Sequence, residues 1–317
     1  MTAVPTSNAD RSFRSAGHAL GKKFRPGEFI VESFLFLAAA SSVLLTAGIV
    51  WILVKESYLF FTKVPLSRFL TEREWAPAFD NASFGIMPLV SGTLVTTAVA
   101  LAFAVPVGTI CAVWLSEYAP FKVREWIKPA LELLAAVPTV VFGYFALMVV
   151  SPALQWLLAK VGIELPAFNM LGAGLVMGLM IVPYIASLSE DAMRAVPAHL
   201  REAAYAMGCT KMQVAWKVVF PAALSGITAA FILAVSRALG ETMVVAVAAG
   251  NQPKLTIDPT ESAQTITAFI VQISLGDVEH GHVAYESIFA AGLTLMLMTL
   301  IFNVAGFWLR KKYREAY

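Results

Sequence analysis

Six long apolar runs dominate the chain, and they restrict its fold more than any other feature. Each run is close to or above the length of about 20 residues that a helix needs to cross a bilayer. The chain is 58% hydrophobic and only 14% charged, whereas soluble domains average about 25% charged residues. The pattern predicts an all-α membrane protein with six transmembrane helices, over Ser33–Val54, Met87–Leu115, Pro129–Val150, Leu171–Leu188, Leu224–Ala249 and Ile288–Leu309.

The basic residues indicate the orientation of these helices. Sixteen of the 23 Lys and Arg residues fall before the first run, in the second and fourth connections, or after the last run. Because cytoplasmic loops carry an excess of Lys and Arg, both termini are predicted to be cytoplasmic. Residues 1–28 would form a cytoplasmic N-terminal tail, and residues 29–317 would form one six-span transmembrane domain. The basic residues flank apolar runs instead of gathering on a patch, so they do not indicate a nucleic-acid partner.

Two charged residues interrupt the fifth run. Arg237 and Glu241 lie among apolar residues, and a charge at the centre of a span costs about 2.5–3.5 kcal/mol on insertion scales. At a spacing of four residues they would share one face of a helix. One interpretation is a mutual ion pair that locks the helix against a neighbour. The other is a substrate path, where the planar guanidinium suits phosphate oxygens and the carboxylate accepts a hydrogen bond from the proton that phosphate still carries.

The fourth connection, at residues 190–220, reads as two short amphipathic helices. Pro197 suits the first turn of a helix, and Gly208 suits the left-handed position that follows a helix end. Thr210, followed three residues later by Gln213, is a capping-box pattern that predicts the start of the second helix. Periodicity supports a specialised loop and an ordinary interfacial helix pair about equally.

The same connection resembles the EAA loop of ABC importer permeases. Glu202, Ala203 and Ala204 are followed at the family's spacing by Gly208, and an apolar segment then ends at Pro221. The departures are a Val and a Phe where the family has Ile and Leu. The resemblance implies a type I ABC importer permease fold, in which this coupling loop docks a short helix on a cytoplasmic ATPase. Glu202 would orient or cap that helix, and the small residues would let it seat closely.

A closer resemblance links nearly the whole chain to the PstC/PstA family of phosphate permeases. Three stretches carry it: FGIMPLVSGTL at Phe84–Leu94, LLAAVPTVVFGYFAL at Leu133–Leu147 and SRALGETMVVAVAAG at Ser236–Gly250. The resemblance implies a permease for inorganic phosphate, surrounded by lipid in a bacterial inner membrane. Its implied partners are two copies of a PstB-type ATPase, a PstA-type permease in a heterodimer and a PstS-type binding protein outside. It also implies that Arg237 and Glu241 are critical for transport.

The chain has no phosphate-binding loop of the G-x-x-x-x-G-K-[ST] type. ATP hydrolysis would therefore come from another subunit, and the chain is not expected to be an enzyme. No cofactor is expected, and the scattered His and Cys residues lack the spacing of a metal site. Three alternatives remain open: a permease for another oxyanion such as sulfate or molybdate, an ion-coupled carrier that works without ATP, and a membrane-embedded enzyme.

Overall fold

A computed structural model of the chain describes residues 26–77, 79, 82–276, 279 and 281–312. Most of the tail predicted at residues 1–28, with its basic residues, lies outside the described residues. Within the described part, five helices are long and apolar enough to span a membrane, and one bent helix pair makes six if it counts as one span. The predicted all-α membrane fold is therefore confirmed. The five helices are Gly27–Lys63, Met87–Tyr118, Thr139–Ala159, Met170–Arg194 and Val283–Lys311.

The described part of the chain consists of helices and one short β-hairpin. In chain order they are α1 (Pro26–Lys63), α2 (Leu66–Thr71), β1 (Trp75–Ala76), β2 (Ser83–Phe84), α3 (Met87–Val113), α4 (Phe121–Ala135), α5 (Thr139–Phe145), α6 (Ser151–Ala159), α7 (Met170–Arg194), α8 (Ala198–Ala206), α9 (Lys211–Val214), α10 (Phe220–Ala222), α11 (Leu224–Leu239), α12 (Met243–Ala248), α13 (Ile266–Leu275) and α14 (Val283–Lys312). A π-helical turn at Trp114–Tyr118 extends α3. Two further π-helical turns join α5 to α6 at Ala146–Val150 and α9 to α10 at Ala215–Val219.

The helix α1 is divided between two compact units of the chain. The first unit ends at Ile52, and the second runs from Leu53 to Tyr317. In the described part of the first unit, apolar side chains such as Phe34 and Leu45 are exposed. A helix that is apolar on all sides suits a lipid environment.

In the second unit, α3 and α7 pack together at glycine positions. A Cβ added to Gly178 would lie 2.7 Å from the backbone oxygen of Ala100, and one added to Gly108 would lie 2.7 Å from the side chain of Ile185. Gly174 and Gly178 form the small-xxx-small pattern that lets membrane helices approach closely. The two helices therefore meet at backbone distance at Gly178, whereas Gly108 and Gly174 each receive a side chain of the other helix.

Aromatic rings join the hairpin β1–β2, which precedes α3, to the helix α13. Trp75 of β1 is paired with Phe84 of β2. The Trp75 ring stands edge to face with Phe269 of α13, with 4.9 Å between the ring centroids. Phe60 and Phe69 belong to the same buried cluster. The connection before α3 and the connection before α14 are therefore packed against each other.

The third predicted span has the wrong boundaries. The sequence predicts a span over Pro129–Val150, but α4 ends at Ala135 and the spanning helix covers Thr139–Ala159. Pro138 lies between them, and a proline disfavours helical backbone in the residue before it. The apolar run thus combines the end of a surface helix with the start of a span.

Candidate functional site

The predicted span over Leu224–Ala249 is broken near its middle. The helix α11 ends at Leu239, and α12 begins at Met243. Arg237 lies in the last turn of α11, whereas Glu241 lies in the break. The prediction that the two residues share one helical face is therefore wrong. In the described part of the chain their side chains form no ion pair with each other, and each has other contacts.

The guanidinium of Arg237 packs on α7. Its carbon Cζ lies 4.5 Å from the ring centroid of Tyr184, and Nη2 lies 4.0 Å from Sδ of Met180. A thioether sulfur is only a weak acceptor, and Nε is buried without a hydrogen-bond partner among the described residues. The end of α11 offsets part of the charge through the helix dipole. Within the described residues, the guanidinium of Arg237 therefore has an aromatic ring and a sulfur atom as neighbours and forms no ion pair with a carboxylate.

Glu241 holds the break together. Its side chain is buried, and Oε1 accepts a hydrogen bond from the backbone N–H of Met243 at 3.2 Å. The carboxylate thus lies at the start of α12, where the helix dipole favours a negative charge. The backbone oxygen of Glu241 accepts a hydrogen bond from the hydroxyl of Thr267, at 2.7 Å. Because Thr267 belongs to α13, the connection after α12 folds back and reaches the middle of the fifth run.

Sequence reasoning missed Tyr184 and Met180 as neighbours of Arg237. They are four residues apart in α7 and so lie on one face of that helix. No spacing in the sequence connects them to α11. The only local signal is a phenol group beside Pro183 within an otherwise apolar run.

The loop at residues 190–220 has the predicted turn and capping box. The helix α8 ends at Ala206, and Gly208 follows with a φ of 82°. The Thr210 hydroxyl accepts from the backbone of Gln213, and the Gln213 side chain accepts from the backbone of Thr210, which completes the predicted capping box at the start of α9. The residue types at this turn therefore predict its backbone correctly.

The five residues of the EAA-like pattern lie along this loop. Glu202, Ala203, Gly208 and Pro221 are exposed, and Ala204 is half-buried. Pro221, which precedes the predicted span over Leu224–Ala249, lies in α10, and α11 follows after a bend of 72°. A proline lacks the N–H of a helix interior, so it is tolerated in the first turn of the short helix α10. The exposed residues leave part of the pattern accessible.

A charge cluster fastens α4 to the end of α7. Glu190 is completely buried, and its carboxylate lies 2.9 Å from Lys128, 3.5 Å from Arg124 and 3.7 Å from Arg194. Lys128 also pairs with Asp191. Burial works to lower the pKa of Lys128, but the hydrogen bonds to Asp191 and Glu190 outweigh it and raise that pKa above its ordinary 10.5. Lys128 therefore stays protonated over the physiological range.

Known proteins resemble the chain over most of its length. The family described as "Binding-protein-dependent transport system inner membrane component" matches residues 104–315. The phosphate transport system permease protein PstC of Mesorhizobium japonicum is 32% identical over 314 residues, which are 94% of each chain. The probable ABC transporter permease protein YqgH of Bacillus subtilis is 32% identical over 278 residues, which are 87% of each chain.

Solved structures of ABC transporters share the fold. One chain of a bacterial alginate ABC transporter, in complex with an alginate pentasaccharide-bound periplasmic protein, matches with a TM-score of 0.59 and 14% identity over 88% of this chain and 94% of that chain. One chain of the inward facing MetNI methionine ABC transporter matches with a TM-score of 0.54 and 17% identity over 73% of this chain and 95% of that chain. The chain thus belongs to the family of binding-protein-dependent transport system inner membrane components, and it is a multi-pass membrane permease of the ABC importer class.

Proposed function

We propose that the chain is the PstC-type permease of an ATP-driven importer that carries inorganic phosphate across a bacterial inner membrane by alternating access. Its partners would be a PstA-type permease, two copies of a PstB-type ATPase and a PstS-type binding protein. Relatives that bear the name PstC and cover most of the chain support this choice of substrate. Both termini would lie in the cytoplasm, and the tail at residues 1–28 would precede one transmembrane domain at residues 29–317.

The state of Arg237 is the observation that carries the proposal. A guanidinium stays charged when it loses water, and this one contacts an aromatic ring and a sulfur atom in place of a carboxylate. Phosphate oxygens would replace the weak sulfur acceptor and also engage Nε, which has no hydrogen-bond partner among the described residues. Such charge-assisted, forked hydrogen bonds are the strong ones in proteins. The site would therefore gain most of its polar contacts only when an anion arrives.

Glu241 would complete the path. One oxygen accepts from Met243, but a carboxylate has about four lone-pair sites. It can therefore also accept a hydrogen bond from the protonated oxygen that phosphate carries at neutral pH. Its negative charge would also weaken the hold of Arg237 on the anion, and a passage site must release what it binds.

The EAA-like residues would receive the movement of the ATPase. Glu202 and Ala203 are exposed on α8, and Gly208 sets the turn that separates α8 from α9. Ala204 and Pro221 would complete the docking element. Closure of the ATPase dimer on ATP would move this loop and tilt the spans, so that the path opens outward and then releases phosphate inward.

ATP-dependent uptake of radiolabelled phosphate by the complete complex in proteoliposomes tests the proposal. Arg237→Gln should lower uptake about tenfold or more, because hydrogen bonds to charged groups contribute about 1.5–3 kcal/mol and a factor of ten corresponds to about 1.4 kcal/mol. Glu241→Gln should also lower it. Arg310→Gln is the matched control, because Arg310 is exposed at the end of α14, and it should behave as the wild type.

Three results would contradict parts of the proposal. Normal uptake by both Arg237→Gln and Glu241→Gln in a fully assembled complex would remove these residues from the path. Uptake that continues without the ATPase would identify an ion-coupled carrier. Uptake that sulfate or molybdate inhibits better than unlabelled phosphate does would identify another oxyanion as the cargo.

A further inference from the structure

Arg201 connects the coupling loop to the ends of two spans. It lies in α8 directly before Glu202. Nη1 donates to the backbone oxygen of Val196 at 2.7 Å, and Nη2 donates to that of Met193 at 2.8 Å. Nη2 and Nε also donate to Oε1 of Glu117, at 3.0 and 3.3 Å. One guanidinium thus joins α8, the carboxyl end of α7 and the π-helical turn that ends α3.

This joint is largely shielded from water. The side chains of Arg201 and Glu117 are 19% and 5% exposed, and Ser116 donates a further hydrogen bond to Glu117 at 3.1 Å. Exposed ion pairs contribute little to stability, but a forked pair with several further hydrogen bonds holds a defined geometry. No side chain of α8 is fully buried, and Leu200 and Ala204 add only partly buried apolar contact. Arg201 therefore provides the main polar contacts described between α8 and the spans.

The two spans that Arg201 holds lead to Arg237. The helix α7 carries Met180 and Tyr184, which contact the guanidinium of Arg237. The helix α3 packs on α7 at backbone distance around Gly178, which leaves little room for one helix to slide without the other. A displacement of α8 that pulls on its Arg201 joint is therefore transmitted to α3 and α7 together. It also moves the surface on which Arg237 rests.

We propose that Arg201, paired with Glu117, is the positioning residue that transmits movement of the coupling loop to α3 and α7. The proposal rests on the proposed function, because it requires an ATPase that moves the loop. It assigns a mechanical role to a residue outside the EAA-like pattern. It also accounts for the choice of arginine: three nitrogen donors in one plane reach three acceptors, which a compact lysine ammonium cannot do in the same geometry.

The test compares phosphate uptake with ATP hydrolysis by the complete complex in proteoliposomes. Arg201→Met removes the fork and keeps an apolar stem. ATP hydrolysis should continue, while the ratio of phosphate transported to ATP hydrolysed falls about tenfold, within the usual range of coupling between distant sites. Arg201→Lys keeps the charge and should lower the ratio less, as should Glu117→Gln, which leaves both carbonyl contacts in place. Lys122→Met is the matched control, because Lys122 is exposed on the surface helix α4, and its ratio should not change.

Each outcome decides the role of Arg201. An assembled Arg201→Met complex with the wild-type ratio overturns the proposal, even if uptake and hydrolysis have both fallen, because a residue that only stabilises the fold would produce that result. If Arg201→Met does not assemble, Glu117→Gln decides: a lowered ratio supports the proposal, and an unchanged ratio overturns it. A wild-type complex that imports a different anion shows that the proposed cargo is wrong, and the same ratio measured with that anion still decides this inference.

Discussion

Gly178→Ala should destabilise the protein, although alanine ordinarily stabilises a helix. A Cβ at this position would lie 2.7 Å from the backbone oxygen of Ala100 and 3.1 Å from the ring of Phe103, whereas ordinary contact begins at 3.4 Å. The ring can turn, but the backbone oxygen cannot, so α3 and α7 would have to separate by several tenths of an ångström. A gap of about 0.5–1 Å forfeits a quarter to a half of each dispersion contact across it. An extra methyl group in a well-packed interior therefore lowers the free energy of unfolding by about 1–3 kcal/mol.

Gly292→Ala is the matched control. A Cβ on Gly292, in the middle of α14, would meet only the side-chain methyl groups of Leu53 at 3.1 Å and Ile270 at 3.9 Å. Both substitutions gain the same helix propensity of about 1 kcal/mol, so the difference between the two variants isolates the packing term. In a reversible SDS titration of the detergent-solubilised protein, Gly178→Ala should be less stable than Gly292→Ala by about 1–3 kcal/mol. Equal stability of the two variants would refute the backbone-distance contact between α3 and α7.

Three further predictions concern single residues. Gly208→Ala should lower the free energy of unfolding by about 1–2 kcal/mol, because a φ of 82° is strained for a residue with a Cβ. Gly208→Asn should lower it less, and thermal unfolding in detergent compares the two variants. Asn169→Ala should lower the free energy of unfolding by about 2–4 kcal/mol. The buried Asn169 side chain caps α7 through Oδ1 and donates a hydrogen bond to the backbone through Nδ2. Denaturant unfolding measures the change, and an unchanged midpoint would contradict the capping role. Burial works to raise the pKa of Glu72, but hydrogen bonds from Arg68 and the Phe84 backbone outweigh it and hold that pKa below its ordinary 4.5. The unfolded chain then binds this proton more tightly, so the stabilisation is complete above about pH 4.5 and is lost as the pH falls through the lower folded value. The stability difference between the wild type and Glu72→Gln should close over that acid range, and a constant difference would contradict the assignment.

Local features of this fold are readable in the sequence. The left-handed backbone at Gly208 and the capping box of Thr210 and Gln213 depend on residues within a few positions of each other. The apolar runs predict spanning helices for a different reason, because the thickness of the bilayer sets the length of such a helix. In these places the residue types and the surrounding medium determine the structure without help from distant segments.

Contacts between distant segments leave no such pattern. The break at Glu241 is held in part by the hydroxyl of Thr267, which comes from the connection after α12, so apolar periodicity alone predicts one continuous helix. Arg201 likewise finds Glu117, which lies 84 residues earlier. The wrong boundaries of the third span have another cause. Hydropathy shows which side chains prefer lipid or the protein interior, but it does not show where one helix ends and the next begins in a different direction. Pro138 carried the local signal for the break there.

The helices of the chain are synthesised in their sequence order, which affects when they can pack together. The helix α3 enters the bilayer before α7 has left the ribosome, because α7 follows it in the sequence. Until then, the face of α3 around Ala100 lacks the helix against which it packs in the folded chain. Gly174 and Gly178 then let α7 approach that face closely. Completion of the fourth span, and not insertion of the second, is therefore the step at which this part of the permease acquires its tertiary structure.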